Sequence, residues 1–174
     1  MDTPIQINQH APEFNLPDLQ ARPHLLADYR GRIVVINFWS AECPWAERAD
    51  AALLPMLAKW GEQVTLLSIA ANANESHDLL VAVAEQRGIP LVLHDAEQET
   101  AALYGAQTTP HIFVLDAEGI LRYQGAFDDV TFRQPEPTQN FVQQAVAALL
   151  AGNDPDPAEV PSYGCTVVYH SLEE

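Results

Sequence analysis

The sequence predicts one α/β domain assembled from a βαβ unit, an αβα insertion and a ββα unit, with an extended lead-in before it and a tail after it. Four observations carry that reading. Ile33 to Trp39 is a β-branched and aromatic stretch with little alternation, the composition of a strand buried on both faces. Leu53, Met56, Leu57 and Trp60 then recur at the i, i+3, i+4, i+7 spacing of an amphipathic helix. Val64 to Ala70 supplies a second apolar run, so strand, helix and strand form a right-handed crossover between parallel strands. Finally, residues 112–115 and 120–123 flank the turn signal Asp116-Ala117-Glu118-Gly119, the pattern of a hairpin.

Taken in order, residues 1–32 are punctuated by Pro12, Pro17 and Pro23 around Phe14 and Leu16, and Gly31 turns the chain into the sheet. This segment reads as a cover and not as a site. The first helix spans 45–60 and stops at Gly61; Pro55 inside it cannot donate to the Ala51 carbonyl and is expected to kink it. A helix over 76–87 ends at Gly88 and Pro90, a short strand covers 91–93, and a short helix ends at Gly105. The last helix is expected over 138–151, with Val142, Ala145, Val146 and Leu149 on one face and Gly152 as its stop. After Pro155, Pro157 and Pro161, residues 162–169 are aromatic and β-branched, which suits an edge strand.

Length asks for a single domain, 1–174, with its core over 10–151 and a cysteine-containing tail over 152–174. A net charge of −16 with a single lysine argues against nucleic acid and anionic membranes as partners. The first thirty residues carry Asp2, Glu13 and Asp18 among prolines and no long apolar segment, so the expectation is a cytoplasmic protein. The six histidines lack ligand spacing and the two cysteines are far apart, so neither a metal nor a cofactor is expected.

Cys43 is where the chemistry is expected. It follows the buried strand and precedes Pro44, a residue suited to the first helical turn because it has no N–H to leave unpaired. Free N–H groups and the positive end of the helix dipole stabilise a thiolate, so the Cys43 thiol should titrate below the roughly 8.5 of a free cysteine. The alternative is a small buried hydrophobe. Glu42 would oppose the dipole if it were close, and its setting suggests that it is solvated.

These features together resemble the thioredoxin fold. Phe38, Trp39, Cys43 and Pro44 match the F-W-x-x-x-C-P motif of thioredoxin-like reductases, and the likeness continues through Tyr104-Gly105-Ala106, Thr109-Pro110, Phe113, Asp116, Gly125 and Asp128-Asp129. More closely, the chain is similar to redoxins described as alkyl hydroperoxide reductase/thiol-specific antioxidant-like, whose tail carries a Gly-Cys motif, here Gly164-Cys165. The resemblance implies a cis Thr109–Pro110 bond facing Cys43, with the Thr109 backbone offered to substrate. Two departures matter: Ala46 stands where the local resolving cysteine would be, and Asn37 replaces a buried acid. A mixed disulfide on Cys43 therefore needs another thiol, either Cys165 or an external one; Cys165 otherwise only holds the tail in place. Trp39 and Trp45 bracket the cysteine, as an apolar docking surface or as core.

Three functions follow from the resemblance. The first is a thiol-dependent oxidoreductase with Cys43 as nucleophile, Cys165 as resolving thiol, and Trp39, Pro44, Trp45, Thr109 and Pro110 contacting substrate. Its partners would be disulfide- or thiol-bearing proteins or a small-molecule oxidant. The second is a thiol peroxidase: Ser40 matches the hydroxyl of the P-x-x-x-[TS]-x-x-C motif, although Ile36 replaces its proline. The third is a redox-inactive binding module that keeps only the tryptophan surface.

Overall fold

A computed structural model describes residues 5–171; residues 1–4 and 172–174, the ends of the expected 1–174 span, lie outside the described residues. The lead-in forms a hairpin, β1 (Asn15–Pro17) with β2 (Pro23–Leu25), followed by a 3-10 turn. The main elements are β3 (Ile33–Trp39), α1 (Pro44–Trp60), β4 (Val64–Ala70), α2 (His77–Arg87), β5 (Val92–His94), α3 (Glu99–Tyr104), β6 (Thr108–Thr109), β7 (His111–Leu115), β8 (Leu121–Gly125), α4 (Phe141–Leu150), β9 (Glu159–Val160) and β10 (Cys165–Thr166).

The central sheet runs β5-β4-β3-β7-β8-β9, with β3 and β4 parallel and β3 and β7 antiparallel. All seven residues of β3 are buried, because the pleat sends alternate side chains into two covered faces. Val34, Ile36 and Phe38 enter a cluster with the lead-in residues Phe14, Leu16 and Leu26 and with Ala101 and Tyr104 of α3. Ile33 and Val35 meet Ala49 and Leu53 of α1 and Val142 and Val146 of α4. The lead-in is thus the cover that its prolines and apolar residues indicated.

Helix α1 is continuous through Pro55, and Pro55 and Ala51 are both exposed, so the hydrogen bond that the proline removes falls on the solvent side. Three local expectations shift. The last helix starts at Phe141 instead of 138: Asp129 accepts from the Thr138 backbone N–H and hydroxyl, which holds Thr138 in the preceding loop. Asn140 becomes the cap, its side chain accepting from Gln143 N at 2.9 Å. The short third strand is 92–94, displaced one residue from 91–93. The edge strand expected over 162–169 shortens to β10, which pairs antiparallel with β6, and a separate short strand before it, β9, extends the sheet beside β8.

Candidate active site

Cys43 is the N-cap of α1 and Pro44 its first residue, so the helix begins where the strand-to-helix transition predicts. The cysteine is 3% exposed and is joined by a disulfide to Cys165, with the two Cα atoms 6.1 Å apart. Thr109–Pro110 is cis, and the Thr109 carbonyl oxygen lies 3.1 Å from Cys43 Sγ. Once the disulfide is reduced, the thiol can donate to that oxygen.

The tail reaches this place as a strand laid on the Thr109 loop. Cys165 stands opposite Thr109 and Thr166 opposite Thr108. Gly164 is pressed against the loop so closely that a Cβ there would meet the Thr109 oxygen at 2.2 Å and Pro110 Cδ at 3.2 Å. Only glycine fits. On one side Tyr163 stands edge-on to Trp45, ring centroids 5.0 Å apart, and its hydroxyl accepts from Phe132 N at 2.8 Å. On the other, Val167 is buried and donates its N–H to Gln107 O, and the Tyr169 hydroxyl donates to Ala106 O at 2.7 Å. The backbone of Val168 is held at both ends, its N–H by Asn72 Oδ1 and its carbonyl by Ala73 N and Gln98 Nε2.

The loop carrying Cys43 is fixed by charged side chains from α2 and the segment before it. Glu75, buried, accepts from the Ser40 hydroxyl at 2.5 Å, from Ala41 N at 2.7 Å and from Asn72 Nδ2 at 2.8 Å. Arg87 donates to the Ser40 and Ala41 carbonyls at 3.1 and 2.6 Å, pairs with Asp50 at 3.2 Å, and lies 5.4 Å over the Trp39 ring. Asp50 is 2% exposed and also accepts from Trp39 Nε1 at 2.6 Å. Burial outweighs those two partners and pushes its carboxyl up to about 6.

The structure gathers Cys43, Pro44, Trp45, Thr109, Pro110 and Cys165 at one point. It does not place Trp39 there: that ring is 0% exposed and belongs to the core, so its reading as a docking surface is corrected. Trp39 is the odd-numbered neighbour of Asn37 on the helix-covered face of β3, and Asn37 is itself fully buried, with neither amide atom hydrogen-bonded. Glu42 is exposed, as expected of a solvated carboxylate. Sequence reasoning missed Asp50, Glu75, Asn72, Arg87 and Gln98. Asp50 alone left a signal, a charge between Ala46, Ala49 and Leu53 on the buried stripe of α1.

A thioredoxin-like fold with a cystine set between a helix N-terminus and a cis-proline loop defines a class, the thiol-dependent oxidoreductases. The comparisons with known proteins agree. The AhpC/TSA family profile matches residues 7–124, and the chain belongs to that family. It is 33% identical over 122 residues to the thiol-disulfide oxidoreductase ResA of Geobacillus thermodenitrificans, a match covering 67% of each chain. Among solved structures, a hypothetical protein of Sinorhizobium meliloti superposes with a TM-score of 0.88 at 28% identity over 98% of both chains. A putative thiol:disulfide interchange protein DsbE of Chlorobium tepidum shares the fold, with a TM-score of 0.62 at 23% identity over 69% of this chain and 84% of its own.

Proposed function

We propose that the protein exchanges thiols and disulfides with a disulfide-bearing protein or small molecule, with Cys43 as the nucleophile and Cys165 as the resolving thiol. The observation that carries this reading is the disulfide between Cys43 and Cys165, formed where Ala46 leaves no local partner. In the first step the Cys43 thiolate attacks one sulfur of the substrate disulfide, forming a mixed disulfide and releasing the other sulfur as a thiolate. Cys165 then attacks Cys43 Sγ; the Cys43–Cys165 bond forms and the second substrate thiolate leaves. The substrate is reduced by two electrons and the cysteine pair oxidised by two.

The surroundings support each role. Cys43 sits at the N-terminus of α1, where the first-turn N–H groups have no intrahelical acceptor and the positive end of the helix dipole favours a thiolate. Trp45 and the Pro110 loop flank the cysteine as contacts for a substrate, and the tail must lift from Thr109 before a peptide can use them. The Ser40 hydroxyl, the feature shared with peroxidases, donates to Glu75 instead of facing the sulfur, which favours disulfide exchange over peroxide reduction.

The test is trapping with a synthetic cystine peptide. The Cys165→Ser variant should accumulate a mixed disulfide on Cys43, the parent should turn the peptide over without accumulating it, and Cys43→Ser should do neither. Turnover by Cys43→Ser, or equal turnover by Cys165→Ser and the parent, would overturn the assignment.

A further inference from the structure

We propose that a low-molecular-weight thiol regenerates the protein by attacking Cys165, so that the tail cysteine and not Cys43 receives the reducing equivalents. The inference rests on the assignment of Cys43 and Cys165 as the redox pair and concerns the other half of the cycle.

Access favours this direction. Cys43 is 3% exposed and sits in a buried cluster with Trp39, Ala41, Ala46 and Leu80, and Thr109 O lies against its sulfur. Cys165 is only partly buried at the edge of that cluster, and its neighbour Thr166 is exposed. A thiolate must approach a disulfide sulfur within bonding reach, and rates follow access as well as nucleophilicity. The tail also fills the Thr108–Thr109 edge, closing the route along which another strand could come to Cys43.

The leaving group favours it too. When a thiolate RS⁻ attacks Cys165 Sγ, the new bond is RS–SCys165 and the Cys43–Cys165 bond breaks, releasing Cys43 as the thiolate at the helix N-terminus. A thiol of lower pKa leaves faster, and Cys165 has no helix N-terminus: it lies in the two-residue strand β10. A second thiolate then attacks the adduct, releasing the Cys165 thiolate and RSSR. Two thiols are oxidised and the cystine gains two electrons. The outcome is a division of labour. Cys43 is oxidised by the substrate while the tail is lifted, and Cys165 is reduced while the tail is docked.

The experiment uses the whole oxidised protein and 2-mercaptoethanol, whose only charge is that of the attacking thiolate, so the protein's net charge of −16 repels it less than it would a thiol bearing carboxylates. Oxidised protein is first mapped for the Cys43–Cys165 disulfide. It is then mixed with excess thiol, quenched in acid at early times and digested at low pH for mass mapping. The expected result is the adduct on Cys165 with Cys43 free, in at least about tenfold excess over the reverse product, about 1.4 kcal/mol in competing barriers. An adduct on Cys43, or one divided evenly, overturns the proposal and leaves the redox pair standing. Absence of the disulfide from the first map removes the pair and this inference together.

Discussion

Replacing Gly164 by alanine tests whether the fit of the tail sets the strength of the disulfide. The new Cβ would lie 2.2 Å from the Thr109 oxygen and 2.7 Å from its carbonyl carbon, both backbone atoms that cannot rotate away. Ordinary contact needs roughly 1 Å more, so β10 must shift by about that much against β6, enough to break short-range ladder hydrogen bonds worth about 1 kcal/mol each. Overpacking of this kind costs about 1–3 kcal/mol. The oxidised chain bears that cost because Cys165 is tethered, whereas the reduced chain relieves it by lifting the tail. The effective molarity of Cys165 toward Cys43 should fall by about 5- to 150-fold, and the disulfide should become easier to reduce by about 20–65 mV. Equilibration in dithiothreitol redox buffers, with free thiols counted by alkylation and mass spectrometry, measures the shift directly. A midpoint within about 5 mV of the parent would show that the tail's fit over Thr109 does not control the disulfide. The unfolding midpoint of the reduced variant should match the parent, which separates a local clash from general damage.

Two further predictions concern buried titratable groups, each read as the difference between the parent and one variant in urea unfolding. Burial lowers the His111 imidazole to about 4, and its Nδ1 accepts from Gln107 N at 3.1 Å, which only the neutral ring can do. Its contribution is present above the unfolded value near 6.5 and is lost as pH falls through about 4, so the parent should lose up to about 3 kcal/mol relative to His111→Gln over that window. Parallel pH profiles would refute it. Asp50 carries the opposite sign: its carboxyl is raised to about 6, so its contribution is present below the unfolded value of 3.8 and is lost as pH rises through 6. Relative to Asp50→Asn, which keeps an acceptor for Trp39, the parent should weaken by up to about 3 kcal/mol between pH 4 and 7. A parent that gains on the variant over that range would show that the Arg87 pair outweighs burial.

Sequence by itself determined the elements whose signal is local. The run at 33–39, apolar on both faces but for Asn37, placed β3 at the middle of the sheet, since a strand with apolar residues on both faces needs cover on both sides. Pro44 placed Cys43 at the helix start, and Asp116 with Gly119 marked the hairpin, where Asp116 Oδ1 accepts from Glu118 N and Ile120 N. Tertiary structure decided what depends on groups far apart in the chain. Nothing local tells that Glu75 and Arg87 hold the loop before Cys43, because the first acts across 34 and 35 residues and the second across 46 and 47. The two tryptophans read alike in sequence and part in space: β3 turns Trp39 under α1 and α2, while Trp45 projects from the helix toward Tyr163. The register of the tail was the least legible part. A short stretch after Pro161 has too little alternation to choose a partner strand, and its place is fixed instead by the disulfide, the space left for Gly164 and the grip of Asn72, Ala73 and Gln98 on Val168.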